Sequence, residues 1–181
     1  GTATVNPDGT WSFTTTAAQT ADGVHTYTAK LTQSGLGTSS ASAALAVTID
    51  TAAPGTPALT SITRDTGPSG TDKITSDNTL TVTGTAEPGS TVKLYDNTDP
   101  NNPVLVGSAV VAADGSYSVP TPRLADGQHP LTITATDPAG NQGPATNLGT
   151  WTIDTGAPAA PQVGSVSVDT ATPGDRVTSD N

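Results

Sequence analysis

Cysteine and methionine are absent from the 181 residues, and aromatic side chains make up only 3%. Without cysteine there is no disulfide framework, thiol nucleophile or cysteine zinc site, so stability has to come from packing or from a bound metal. Basic residues are also few: six Lys and Arg stand against 16 Asp and Glu, a formal net charge of -10. That excess argues against nucleic acid or an anionic membrane as partner and favours cations. The six basic residues, Lys30, Arg64, Lys73, Lys93, Arg123 and Arg176, are scattered and form no patch. No apolar run approaches the roughly 18 to 20 residues that a membrane helix needs. No basic-then-apolar segment opens the chain, which is therefore expected to be soluble, with no membrane insertion in this segment.

What is abundant is Thr, Ala, Ser, Gly, Pro, Asp and Val, and the chain matches itself. "TIDTAAPGTP" from Thr48 returns as "TIDTGAPAAP" from Thr152, and "ADGVH" from Ala21 as "ADGQH" from Ala125, both 104 residues on. "DGTWSF" from Asp8 matches "DGSYSV" from Asp114 at an offset of 106, which small loop insertions explain. Such a period marks an array of similar units. On this reading residues 1–49 are the C-terminal part of one repeat, 50–153 a complete repeat and 154–181 the N-terminal part of the next. Neither flank holds enough strands to close a sandwich, so each is expected to be poorly ordered unless other strands cover it.

Short β-branched runs between Gly, Pro, Asn and Asp clusters indicate an all-β protein, and no amphipathic helix is found. Turn signals cut seven strands out of the complete repeat, at about Ala58–Arg64, Thr79–Ala86, Thr91–Asp96, Val104–Ala112, Ser116–Val119, Pro130–Thr136 and Asn147–Ile153. Leu80 and Val82, Val92 and Leu94, Leu131 and Ile133, and Trp151 and Ile153 alternate with polar residues and should face inward. Seven short strands in about 100 residues fit an immunoglobulin-like antiparallel β-sandwich. The missing cysteine pair excludes the antibody subfamily.

The motifs "IDTAAPGTP", "DTGPSGTDKITSDNTLTVTGTAEPGSTVKLYD", "DGSYSV", "LADGQHPLTITATDPAGN" and "WTID" carry a family likeness across the whole chain. It resembles the bacterial immunoglobulin-like tandem repeats of giant, type I secreted adhesins and biofilm-associated proteins. The resemblance implies an extracellular stalk on the bacterial cell surface, often stiffened by calcium at or near the junctions between domains. It also implies neighbouring repeats as partners, with any host-surface or biofilm-matrix ligand engaged through other domains.

Nearly every acid falls in a turn, loop or linker, which Asp favours anyway through local hydrogen bonds to backbone. "DTGPSGTDKITSDN" from Asp65 is dense in carboxylates and hydroxyls, and "DTATPGDRVTSDN" from Asp169 repeats it with one residue fewer. With strands alternating in direction, Asp50, Glu87, Asp114, Asp137 and Asn141 should collect at the end facing the preceding repeat. Asp65, Asp72, Asp77, Asp96, Asp99, Asp126 and Asp154 should collect at the other. Calcium takes six to eight oxygens at loose geometry, which several loops can supply together, whereas magnesium keeps more of its water. The expected calcium ligands are drawn from Asp50, Asp65, Asp72, Glu87, Asp114, Asp137, Asn141 and Asp154, with Asp169 and Asp175 in the next repeat. Neither the EF-hand nor the nonapeptide calcium pattern is present. In the first repeat "TQSGLG" replaces "TDPAGN", so Gln33 and Gly37 stand for Asp137 and Asn141, and a site using that loop should be weak or missing there.

No catalytic constellation emerges. His25 and His129 occupy equivalent positions before a strand, which suits a structural or capping role. Paired carboxylates serve glycoside hydrolysis, but the sugar platforms are too few, and Trp11 and Tyr117 fit a sandwich better. "DTG" at Asp65 and Asp154 lacks the strand pattern of an aspartic protease. The leading expectation is a non-enzymatic spacer repeat supporting adhesion and biofilm formation. The alternative is a module that itself recognises a glycan or protein receptor, which an exposed aromatic cluster away from the junctions would favour.

Overall fold

The computed structural model describes residues 1–15, 21–63 and 65–162, and among them there is no helix. The complete repeat contains β5 (Ala58–Ile62), β6 (Ile74–Thr75), β7 (Thr81–Thr85), β8 (Thr91–Asp96), β9 (Val104–Val110), β10 (Ser116–Pro120), β11 (Gly127–Thr136) and β12 (Thr146–Ile153). The N-terminal part contains β1 (Gly23–Tyr27), β2 (Thr32–Gln33), β3 (Gly37–Thr38) and β4 (Leu45–Ile49).

Two sheets make the complete repeat: a three-stranded one in the order β10-β7-β5 and a five-stranded one in the order β6-β12-β11-β8-β9. The eight residues expected to face inward are all buried, and Tyr117, Val119, Leu124 and Leu148 complete the core between them. Each fully buried aliphatic side chain contributes about 1.5–3 kcal/mol, so this alternation is the main force that clamps the sheets together. The architecture is the all-β, immunoglobulin-like sandwich that strand count and alternation indicated.

Two details differ from the sequence expectation. β6 is an extra strand, and it pairs parallel with β12 through Thr152 and Ile74, whereas every other ladder among the described residues is antiparallel. Two residues inside a turn-rich stretch carry no periodicity to detect. The chain uses them to cross from the edge of one sheet to the edge of the other. β11 also starts three residues earlier than expected, because Pro130 sits within the strand opposite Thr150, beside a register shift at Leu131/Thr132. Proline is tolerated in a ladder next to such an irregularity.

In the N-terminal part β1 pairs with β4, and β2 with β3. Tyr27, Leu45 and Val47, which share one face of the β1–β4 pair, are exposed. Their partners in the repeat tell why this face is apolar: Leu131 and Trp151, 104 residues after Tyr27 and Val47, are buried in the complete sandwich.

Candidate functional site at the repeat junction

Strand register fixes which loops share an end. Thr91 lies opposite both Thr136 and Val110, so the turns 86–90, 111–115 and 137–141 gather at one end. Asp96 lies opposite Leu131 and Val104 at the other end, where Gly127 faces Ile153. The incoming linker reaches the first end, where Asn141 Nδ2 donates to the Asp50 carbonyl at 3.0 Å. The outgoing linker leaves from the second, after Ile153.

The loop carboxylates are occupied mainly by their own turns. Asp114 Oδ1 accepts from Ser116 N and Oγ at 2.9 and 2.7 Å, and Asp8 does the same with Thr10 in the preceding repeat. The Ser116 hydroxyl and amide hold the Asp114 carboxyl below its usual range, as the Thr10 amide and hydroxyl do for Asp8. Asp77 Oδ1 accepts from Thr79 N, Asp96 Oδ1 from Thr98 N and Asp99 Oδ1 from Asn101 N. The linker acids follow the same rule: Asp50 Oδ1 accepts from Ala52 N at 3.1 Å and Asp154 Oδ1 from Gly156 N at 3.0 Å. An Asp two residues ahead of an amide mimics a backbone turn, which explains why acids recur at each reversal.

At the incoming end Asp137, Asn141 and the Asp50 backbone are brought together. Asp137 is buried; its Oδ1 accepts from Asn141 N and its Oδ2 from Asn141 Nδ2, both at 2.8 Å. The Asn141 side chain, opposed by burial and helped by backbone N–H groups of the turn, lowers the Asp137 pKa. Asp137 thus aims the Asn141 amide at the linker. Glu87 and Asp114 share this end, their turns joined by the bond from Ala86 N to Gly115 O, but Glu87 is exposed.

At the outgoing end Asp65 Oδ2 accepts from Lys73 N at 2.9 Å and Asp72 Oδ1 from Ile74 N at 3.1 Å. The charged stretch is thereby folded around Lys73, whose φ of 63° lies in the left-handed region that a side chain seldom adopts. Asp65 Oδ1 is buried without a partner among the described residues. Asp154 N donates to Thr75 O, which seats the outgoing linker beside β6. Asp169 and Asp175 lie outside the described residues. Among the described residues no three His, Cys, Asp or Glu side chains gather where they could hold a metal ion.

Three features were not singled out as site residues in the sequence. Asp126 Oδ1 accepts from Thr155 N and Oγ1, at 3.2 and 2.9 Å. Asp22 does the same for Thr51, at 2.9 and 2.8 Å. The third is a buried pair: His129 Nδ1 lies 2.6 Å from Asp96 Oδ2 while its Nε2 faces the Ala125 carbonyl at 2.9 Å. His25 Nε2 faces Ala21 O in the same way. The recurrence of "ADG-x-H" followed by "TIDT" at the 104-residue period was the available signal.

Residues 1–51 and 54–155 each match the family profile of the bacterial Ig-like domain. The chain belongs to the bacterial Ig-like domain family. The boundary between the two matches falls in the linker that Asp22 and Asn141 hold. Among the curated proteins nothing matches the chain. Bacterial Ig-like domains are in general non-enzymatic structural modules and are typically surface-exposed, which agrees with acids that brace turns instead of facing one another across a cleft.

Proposed function

We propose that this bacterial Ig-like chain is a spacer segment of a cell-surface adhesin, holding a distal binding domain away from the bacterium in the service of adhesion and biofilm formation. The observation that carries the reading is polarity: the linker enters the sandwich at the end marked by Asn141 and leaves at the opposite end, beside β6 and Asp126. Domains joined through opposite ends extend as a rod, whereas entry and exit at one end would fold the array back on itself. Neighbouring repeats are therefore the principal partners. The direct-binding alternative would use exposed aromatics; in the complete repeat Tyr117 and Trp151 are buried and Tyr95 half-buried, and the exposed Trp11, Phe13 and Tyr27 of the N-terminal part stand at the positions that Tyr117, Val119 and Leu131 fill in the core.

Calcium belongs to this proposal as a second stiffener at the junctions. Asp50 and Asp154 are exposed, and each commits one carboxylate oxygen to its turn, so one oxygen of each is left for a cation. With so few gathered carboxylates, an ion there would need backbone carbonyls and water to reach six to eight oxygens. Calcium modules outside cells bind at about 10⁻⁴ to 10⁻³ M, and calcium at ten times that level stabilises the bound form by about 1.4 kcal/mol per site. The test is small-angle scattering of a protein with several of these repeats. An extended particle in calcium that becomes shorter and more heterogeneous on chelation supports the full reading. An extended particle in both conditions keeps the spacer and removes calcium from it, and a compact particle in both overturns the spacer. Asp154→Ala is expected to reduce the calcium response at the second junction while leaving the sandwich's melting unchanged.

A further inference from the structure

The linker is held from both sides by direct hydrogen bonds. Asp22, in the preceding repeat, takes the Thr51 amide and hydroxyl. One residue away, Asn141 of the following sandwich donates to the Asp50 carbonyl. Beyond that point the linker lies against its own sandwich: Thr146 Oγ1 donates to the Pro57 carbonyl at 2.5 Å, and Pro54 and Pro57 are fully buried. Gly143 is required for this approach, because a Cβ at that position would run into the Pro54 carbonyl oxygen. Proline fixes φ but leaves ψ free; the flanking hydrogen bonds supply the restraint that proline lacks.

We infer that each joint is a two-part clasp, in which an Asp of the upstream repeat and an Asn of the downstream repeat grip successive linker residues, and that the clasp sets joint stiffness without a metal. It deepens the spacer reading and rests on it. The upstream half recurs at the next joint, where Asp126 grips Thr155. The downstream half does not recur uniformly. In the first repeat the residues 104 positions before Asn141 and Gly143 are Gly37 and Ser39. Gly37 has no side chain to donate, and Ser39 carries the Cβ that Gly143 must lack. Two independent departures therefore remove the same half of the clasp, so the first repeat lacks the downstream grip that Asn141 and Gly143 give the second. Stiffness along the array is graded by sequence, with the joint at Asp50–Thr51 of the rigid type.

Backbone ¹⁵N relaxation and amide exchange on the 181-residue chain test this, in chelator and again in calcium. In chelator, the amides of Thr51, Ala52, Ala53, Gly55 and Thr56 are expected to show order parameters near the rigid value of about 0.85. Asp22→Ala should speed Thr51 amide exchange about tenfold, the loss expected for one or two hydrogen bonds of about 1 kcal/mol each. Asn141→Ala should loosen residues 50–53, and Gly143→Ala should loosen the amides of Gly55 and Thr56, while the amides of β8 and β11 keep their protection as proof that the sandwich is intact. A linker that is mobile in chelator and ordered only by calcium overturns the clasp and leaves the calcium-stiffened spacer standing. A linker that is rigid throughout and indifferent to all three substitutions also overturns it, in favour of proline alone. Order in chelator that is lost in the variants upholds the clasp, whatever the scattering experiment finds for calcium.

Discussion

Gly84→Ala is expected to destabilise the complete sandwich by about 2–4 kcal/mol, since overpacking costs about 1–3 kcal/mol and occasionally more and a hydrogen bond is lost as well. Gly84 is the fourth of the five residues of β7, opposite Tyr117 on β10 and Leu59 on β5. The Tyr117 phenol lies across this glycine and its hydroxyl donates to the Ala58 carbonyl at 3.0 Å. A Cβ on residue 84 would collide with both the phenol and the Ala58 carbonyl oxygen, one of which is backbone and does not swing aside. For a sandwich of this size each kcal/mol lowers Tm by about 4–8 °C, so a fall of about 10–25 °C is expected by calorimetry. Tyr117→Phe is the milder companion: it keeps the ring and loses one hydrogen bond, about 1 kcal/mol. Equal Tm for wild type and Gly84→Ala would show that the glycine is not needed. The same packing has a pH signature. Burial pushes the Tyr117 phenol above its usual 10.0. The folded state therefore holds that proton more tightly than the unfolded state. Its contribution is complete below pH 10.0 and is lost as pH rises through the folded value.

His129→Ala is expected to cost about 2–4 kcal/mol, near the range for removing one partner of a buried ion pair. His129 and Asp96 retain only 11% and 12% of their side-chain exposure, so the stranded carboxylate would gain little water. Thr98 would remain as its donor through N and Oγ1, which holds the cost below the upper range. Both ring nitrogens have an acceptor in place, because a carbonyl faces Nε2 and a carboxylate faces Nδ1. Burial works to raise the Asp96 pKa, but hydrogen bonds from His129 and Thr98, together with the His129 charge, outweigh it and hold the carboxyl low. A depressed carboxylate stabilises the fold above its unfolded pKa of 3.8 and ceases to do so as pH falls through the folded value. Urea unfolding of wild type from pH 7 to pH 2 should therefore steepen below pH 4, and His129→Ala should flatten that limb as well as start lower. Curves that stay parallel over the whole range would show that the pair is not what couples stability to acid.

Much of the fold was legible because it rests on local chemistry. Period-two alternation named eight core residues from Leu80 to Ile153, and all eight are buried. The alternation works because successive strand side chains must point to opposite faces. β6 was not legible, since two residues cannot show a period and its pairing partner is 78 positions away, at Thr152. The acids were legible as turn residues, and the bonds that Asp8, Asp77, Asp96 and Asp114 accept from the amide two residues on are that local chemistry in place.

The repeat, the all-β class and the turn chemistry were thus determined by the sequence alone, because each depends on residues within a few positions of one another or on simple self-similarity. Which polar groups meet was decided only by the tertiary structure. Asn141 and Asp50 are 91 positions apart, Tyr117 and Ala58 are 59 apart, and His129 and Asp96 are 33 apart. Nothing in either partner's local sequence specifies the other. These pairs form because strand register brings their loops to a shared end and sheet packing brings their side chains within hydrogen-bonding reach. A shift of one residue in that register would reverse every inward face and separate them all.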